Sequence, residues 1–243
     1  MGEHEDYSVI FGYESNGKEY SGEKAIISMT SWKRRISTCA KTIYSLLKHC
    51  PGFHIVLVLS KDEFPQKENE LPRDLMLLVE NKLIELFWIK PNLRSFKKVL
   101  FTLDKYRTVP IISADDGQIY IENFAERLYR KWSRFPKCIC SITHLKYHSI
   151  HYGVGCRGII YPPYCFQDNG IKLLNDTVIS SNNDDFFIGI IAKIFNINYK
   201  FLNSLNYKRN NFVVIDSAEK VGITLNKKCC DSILLRLFKK YIK

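Results

Sequence analysis

The stretch TVPIISADDGQIY, Thr108–Tyr120, decides how the chain is read. An unbroken apolar run bounded by turn residues marks a strand buried on both faces, as in parallel sheets. This run ends in two carboxylates, Asp115 and Asp116, then Gly117, then a short return to apolar sequence. Paired acids at a strand end suit a metal–phosphate site. Carboxylates that share one face of an extended chain stand at i and i+2, however, and the residue two beyond Asp115 is Gly117. A cation bound with a diphosphate keeps several waters and needs only one or two carboxylates, so either aspartate would serve. Asp-Gly is also an ordinary turn pair. These residues alone leave a metal site, a depleted one and a plain turn all open.

Outward from that point the chain alternates strands and helices. KAIISMTSW supplies a strand over Ala25–Met29, and Ile36, Ala40, Ile43, Leu46 and Leu47 follow at helical spacing. HIVLVLS, His54–Ser60, is a second buried strand, LPRDLMLLVENKL a helix, IELFWIK a strand and SFKKVLFTLDKY a helix that leads into Thr108. The order predicts a doubly wound, mostly parallel α/β sheet with right-handed crossovers. Such sheets bind ligands beyond the carboxyl ends of their strands. Before this unit, FGYESNGKEY has Asn16-Gly17 between aromatic residues, a hairpin signal, in an adapter over residues 1–23. After it, ENFAERLYRKWSRFP reads as a helix, KCICSITHLKY as one strand, NNDDFFIGIIAKIFNI as a helix capped by Asn or Asp and LNKKCCDSILLRLFKKYIK as a closing helix.

Composition narrows the partners. The 243 residues carry a net charge of +11, which favours anionic ligands. The basic residues are spread along the chain without a nucleic-acid-binding motif, so no nucleic acid is expected. The opening residues lack a basic and an apolar signal region, Asp6 stands where a myristoylation signal needs Ser or Thr, and no apolar run is long enough to span a bilayer. A cytoplasmic protein is expected. The eight cysteines read as buried free thiols.

Several residues are candidates for chemistry. MTSWKRRI places Thr30, Lys33, Arg34 and Arg35 at a strand end and helix start, where an anion would be held, with Thr30 and Arg34 as the donor-binding candidates. Lys97 and Lys98 lie one helix before the acidic turn; one faces phosphate and the other solvent, and Lys97 is taken as the phosphate ligand. Gly153, Gly155 and Gly158 form a loop that either allows close approach to a ligand or is simply tight. Asp184 and Asp185 open a helix. Capping needs one acid, and the spare is a candidate general base. His144, His148 and His151 read as scattered polar side chains, because 144 and 148 share a strand face and 151 lies past a turn. Of the three, His151 is expected nearest a ligand. In the closing helix Ile233, Leu234, Leu237, Phe238, Tyr241 and Ile242 form an apolar stripe beside Arg236, Lys239, Lys240 and Lys243. That pattern suits either docking on the core or a peripheral contact with an anionic membrane.

Taken in order, ISMTSWKRRI, LVLSKDEFP, ELPRDL, KKVLFTLDKY, IISADDGQIY, GCRGIIYPP and NNDDFF resemble bacterial glycosyltransferases of the glycosyltransferase-A fold that build surface polysaccharide or lipooligosaccharide. The resemblance implies a single three-layer α/β/α domain over 1–243. Residues 24–120 would bind a nucleotide-sugar, a UDP-sugar first, and 121–243 a saccharide or lipid-linked acceptor. It implies Mn²⁺ or Mg²⁺ at Asp115 and Asp116 against the diphosphate, with Asp185 or Asp184 as the base. The family's acidic turn usually carries three acids, and Gly117 departs at the third, which implies a weakened metal site. The alternatives are a non-catalytic nucleotide-sugar binder on the same fold and, behind it, a basic nucleic-acid-binding protein suggested by the net charge of +11.

Overall fold

A computed structural model describes residues 12–202, 212–214 and 227–239. Four apolar runs make the parallel heart of its sheet: β2 (Ile26–Thr30), β3 (His54–Ser60), β4 (Glu85–Ile89) and β5 (Ile111–Ser113). Every residue of β3, β4 and β5 is buried, as continuous apolar strands require. β3 and β4 extend the sheet from one side of β2, and β5 pairs with its other side. The edge beyond β4 is closed by the antiparallel β1 (Tyr13–Gly17). Beyond β5 come the antiparallel β10 (Ile159–Tyr161), then β7 (Ile139–Ser141), then β11 (Tyr199–Phe201) parallel to β7. The eight-stranded order is β1-β4-β3-β2-β5-β10-β7-β11. β6 (Gln118–Tyr120) pairs with β12 (Phe212–Val214), and β8 (Leu145–Tyr147) with β9 (Ile150–Tyr152), in two small ribbons.

Helices cover both faces, giving the expected three-layer mixed α/β architecture with a mostly parallel central sheet. On one face lie α1 (Ile36–His49), α2 (Arg73–Glu80) and α4 (Phe124–Arg134), which bury Ile43, Leu75 and Leu128 against Ile27, Leu57 and Ile112. On the other, α3 (Lys97–Lys105) and α7 (Asp184–Ile194) bury Val99, Phe101, Phe187 and Ile190 with Ile26, Val58 and Ile111. Adjacent residues of β2 and β5 therefore feed opposite cores, the period-2 alternation of a strand.

Several local expectations change. Asn16-Gly17 is not a hairpin turn but the end of β1, paired with Leu86 and Glu85. A Cβ on Gly17 would meet the Ile84 carbonyl oxygen at 2.3 Å, so glycine serves close strand approach there. KCICSITHLKY is two strands rather than one, because the chain leaves β7 after Ser141 and turns into the β8–β9 hairpin. Two short helices, α5 (Gln167–Lys172) and α6 (Asp176–Ser181), were not anticipated.

The closing helix, α8 (Lys227–Phe238), docks on the domain. Leu234 and Phe238 are buried, with the Phe238 ring edge-on to Phe187 at 5.7 Å. Ile233 and Leu237, one helical line over, remain exposed at 40% and 39%. Tyr241, Ile242, Lys240 and Lys243 lie outside the described residues. No helix among the described residues is long and apolar enough to cross a membrane.

Candidate functional site

The strand order reverses direction at β2, whose neighbours β3 and β5 lead the chain to opposite sides. The carboxyl ends of β2 and β5 thus flank the topological switch point, the place where open α/β sheets bind ligands. Ser31 follows β2 directly, and Asp115 and Asp116 follow β5. β5 ends at Ser113, so both acids sit in a turn rather than on an extended strand, and their side chains diverge.

Asp116 turns inward. Its Oδ1 accepts from the Arg35 guanidinium at 2.8 Å, its Oδ2 from the Ser31 hydroxyl at 2.6 Å, and its backbone oxygen from Thr38 Oγ1 at 3.1 Å. Burial raises its pKa above the usual carboxylate value, against the pull of Arg35. Asp116 is therefore a strut that ties the turn to the start of α1. Expected as a metal ligand, it has both oxygens engaged by protein donors.

Asp115 faces the open end. Its carboxylate is about a third exposed, at 32%, and its Oδ1 meets Lys98 Nζ at 2.7 Å. Its backbone N–H donates to the Tyr120 hydroxyl at 2.9 Å, which in turn donates to the Cys156 carbonyl at 3.2 Å. The buried Tyr120 ring thereby fastens the acidic turn to the glycine loop.

Lys98 is the hub. Its ammonium reaches Asp115 and, at 3.1 Å, Asp184 Oδ2. Burial would lower its pKa, but Asp115, Asp184 and Asp185 together hold it well above the ordinary lysine value. The adjacent Lys97, expected to face the phosphates, is buried elsewhere. Its Nζ donates to the Arg94 carbonyl at 3.0 Å and lies 3.7 Å from Glu63, and burial lowers its pKa to about 8. One step along a helix is a 100° rotation, so two adjacent lysines cannot share a partner.

Asp184 and Asp185 open α7, but neither caps it. Asn183 does, its Oδ1 accepting from Phe186 N–H at 3.4 Å. Both acids are therefore left for other work. Asp185 Oδ1 accepts from the Gly155 N–H at 3.0 Å, and a Cβ on Gly155 would stand 2.8 Å from that oxygen. Glycine at 155 lets the loop backbone approach the acid. Burial first, then the neighbouring Asp184 charge, push the Asp185 pKa up to about 7. That is the range a general base needs near neutral pH.

Five other expected positions lie outside this network. Arg34 is exposed and sits over the Trp32 ring at 5.3 Å, while Arg35 takes the inward role. Thr30 donates to the Val58 carbonyl at 2.7 Å, tying β2 to β3. His144 and His151 come together, Nε2 to Nδ1 at 2.7 Å across the β8–β9 hairpin, whereas His148 occupies the turn with φ 52°. Ser31 and Tyr120 were missed as site residues, while Arg35 and Lys98 were weighed but passed over for their neighbours Arg34 and Lys97, and the loop of Gly155 was left open between a ligand contact and a plain turn. Lys98 had a legible signal: Thr102, one helical turn on, is polar on a buried face and its Oγ1 pairs with Ser28 of β2 at 2.7 Å.

The donor set bears on a divalent cation in two ways. Among the described residues no three His, Cys, Asp or Glu side chains form a metal cage. Among the described residues Lys98 is shared by Asp115 and Asp184, and Arg35 pairs with Asp116. Asp115 is the one partly exposed carboxylate of the strand-end pair, and one carboxylate suffices for an ion whose remaining positions are filled by phosphate and water. Of the two expected ligands, Asp115 is the better placed for such an ion, through the part of its carboxylate that Lys98 leaves open.

No family model matches the chain, and no curated protein matches it. Among solved structures it is similar to the glycosyltransferase GlyE of Streptococcus pneumoniae, at 11% identity and a TM-score of 0.49, over 91% of this chain and 65% of that one. It is also similar to TarS of S. aureus, at 10% identity and a TM-score of 0.47, over 90% of this chain and 43% of that one. The chain spans less than two thirds of the length of either.

Proposed function

We propose that the chain is a glycosyltransferase that moves a sugar from a nucleotide-sugar, a UDP-sugar first, to a saccharide or lipid-linked acceptor. The observation that carries this reading is the Lys98 ammonium, which joins Asp115 at the switch-point turn to Asp184 at the head of α7. A donor-side acid and an acceptor-side acid pair, far apart in sequence, thereby share one buried charge network.

The roles follow from position. Lys98 supplies a fixed positive charge beside the leaving diphosphate, where preorganised charge is worth most. A divalent cation held by Asp115 would neutralise the rest of that charge. Asp185, ionised near neutral pH, accepts the acceptor hydroxyl proton as that oxygen bonds to the anomeric carbon. The bond from that carbon to the diphosphate breaks, and its electron pair leaves with the phosphate. Asp116, Arg35, Ser31 and Tyr120 hold the acidic turn rather than touch the sugar.

The test is turnover. Incubation with a panel of UDP-sugars and Mn²⁺ should release free UDP from at least one donor, and Asp185→Asn should stop acceptor-dependent release. A protein that binds UDP-sugars yet never releases UDP with any acceptor would instead be the non-catalytic binder.

A further inference from the structure

A concavity lies between the β8–β9 hairpin, the C-terminal half of α7 and β11, with a volume of about 620 Å³. Its charge is one-sided. Lys146 and Lys193 line it, and no Asp or Glu does among the described residues. Neither lysine has an ion-pair partner among the described residues. His144, His151, Asn196 and Asn198 line it as well. Ring packing holds the imidazoles: His144 stacks on Phe201 at 4.0 Å and on His151 at 5.0 Å. The ring faces and the two facing nitrogens, His144 Nε2 and His151 Nδ1, are thus used internally, and what remains for a ligand is the outer ring nitrogens, the amides and the lysine cations. Burial, with His144, Lys146 and Lys193, holds the His151 pKa below its ordinary value, as a locally positive field would.

The position ties this concavity to the site above. Asp185, Gly189 and Lys193 recur every four residues of α7 and so fall on one side of the helix. The rise from Asp185 to Lys193 is about 12 Å. β9 crosses that side at Gly189, where a Cβ would stand 2.8 Å from the Tyr152 Cβ, and the loop that follows β9 brings Gly155 against Asp185. The helix and the strand each lead from the concavity to the candidate base.

We infer that this concavity binds an oxyanionic group, phosphate or carboxylate, carried by the acceptor saccharide, and so selects a charged acceptor. The acceptor assignment rests on the glycosyltransferase reading; the anion site itself does not. Lys146 and Lys193 supply the charge, and the imidazoles and amides supply directional hydrogen bonds.

The experiment is an NMR titration of the histidine ring signals of the full chain with inorganic phosphate, glucose 6-phosphate, glucuronate and glucose, with UDP binding measured by calorimetry on the same samples. The anionic probes should shift His144 and His151, glucose should not, and a Lys146→Ala/Lys193→Ala variant should weaken the anion response about tenfold. Both lysines are exposed, so the variant keeps its core, and its UDP affinity should equal that of the unaltered protein. A response to phosphate without one to glucuronate, or the reverse, identifies which anion is held. Equal responses to glucose and glucose 6-phosphate, or an undiminished response in the double variant, would overturn the inference. Failure of UDP to bind would instead remove the donor site and leave an anion site standing.

Discussion

Arg35 donates to Asp116 across 2.8 Å and so locks the first turn of α1 to the acidic turn after β5. Ser31 completes the lock from the end of β2. The second acid of the pair is thus consumed in structure, while the first faces the open end beside Lys98.

Arg35→Ala should therefore leave a buried carboxylate without its cation. Breaking a buried pair from one side costs about 3 kcal/mol or more. Arg34→Ala, which removes an exposed side chain stacked on Trp32, should change stability by less than about 0.5 kcal/mol. Urea denaturation of the two variants checks the contrast, and equal losses would mean the lock has been misassigned.

The Asp185 carboxyl gives a pH signature. Because its pKa is raised to about 7, acceptor-dependent turnover should climb as pH rises through about 7 and then level. The stability effect has the opposite sense. A carboxyl that binds its proton more tightly when folded stabilises the protein fully below the ordinary aspartate range, and that contribution is lost as pH rises through about 7. Asp185→Asn should abolish turnover, leave UDP affinity unchanged and flatten this part of the stability profile. Thermal melts between acid and neutral pH read the second effect.

At the other end of the sheet, the buried Glu85 opens β4 and accepts from the buried His54 at 2.7 Å and from the hydroxyl of the half-buried Tyr106. Strand amino ends are far from the switch point, so this network should matter to stability alone. Glu85→Ala should cost about 3 kcal/mol, and the folded fraction should still bind UDP. Loss of UDP binding by a folded Glu85→Ala protein would contradict the separation of the two ends.

Leu234 and Phe238 anchor α8 in the core, so Leu234→Ala should destabilise by about 2–5 kcal/mol. Leu237→Ala, at an exposed position, should cost far less. Chemical denaturation of both variants shows which side of the helix is docked. A larger loss from Leu237 would favour a helix seated elsewhere, such as on a membrane.

Much of the fold was legible because burial on both faces leaves an unmistakable apolar run, as in His54–Ser60, and amphipathic spacing leaves another in α1. The break within KCICSITHLKY was not legible, because Ser141, Ile142 and Thr143 are as strand-compatible as their neighbours and only the meeting of His144 with His151 reveals the hairpin. The site was half legible. Acid pairs at a strand end and a helix start stand out, but the choice between Lys97 and Lys98, or Arg34 and Arg35, is a choice of helix face that adjacent residues do not encode. Asn183 had the cap chemistry all along, which freed Asp184 and Asp185.

The central claim is that the acidic turn holds a nucleoside diphosphate with a cation at Asp115. Calorimetric titration of UDP with and without Mn²⁺, on the unaltered protein and on Asp115→Asn, tests it most directly. The account predicts that UDP binds, that Mn²⁺ tightens the binding and that Asp115→Asn removes the increment due to Mn²⁺. A protein that binds no UDP in either condition, or whose Mn²⁺ increment survives in Asp115→Asn, would contradict it.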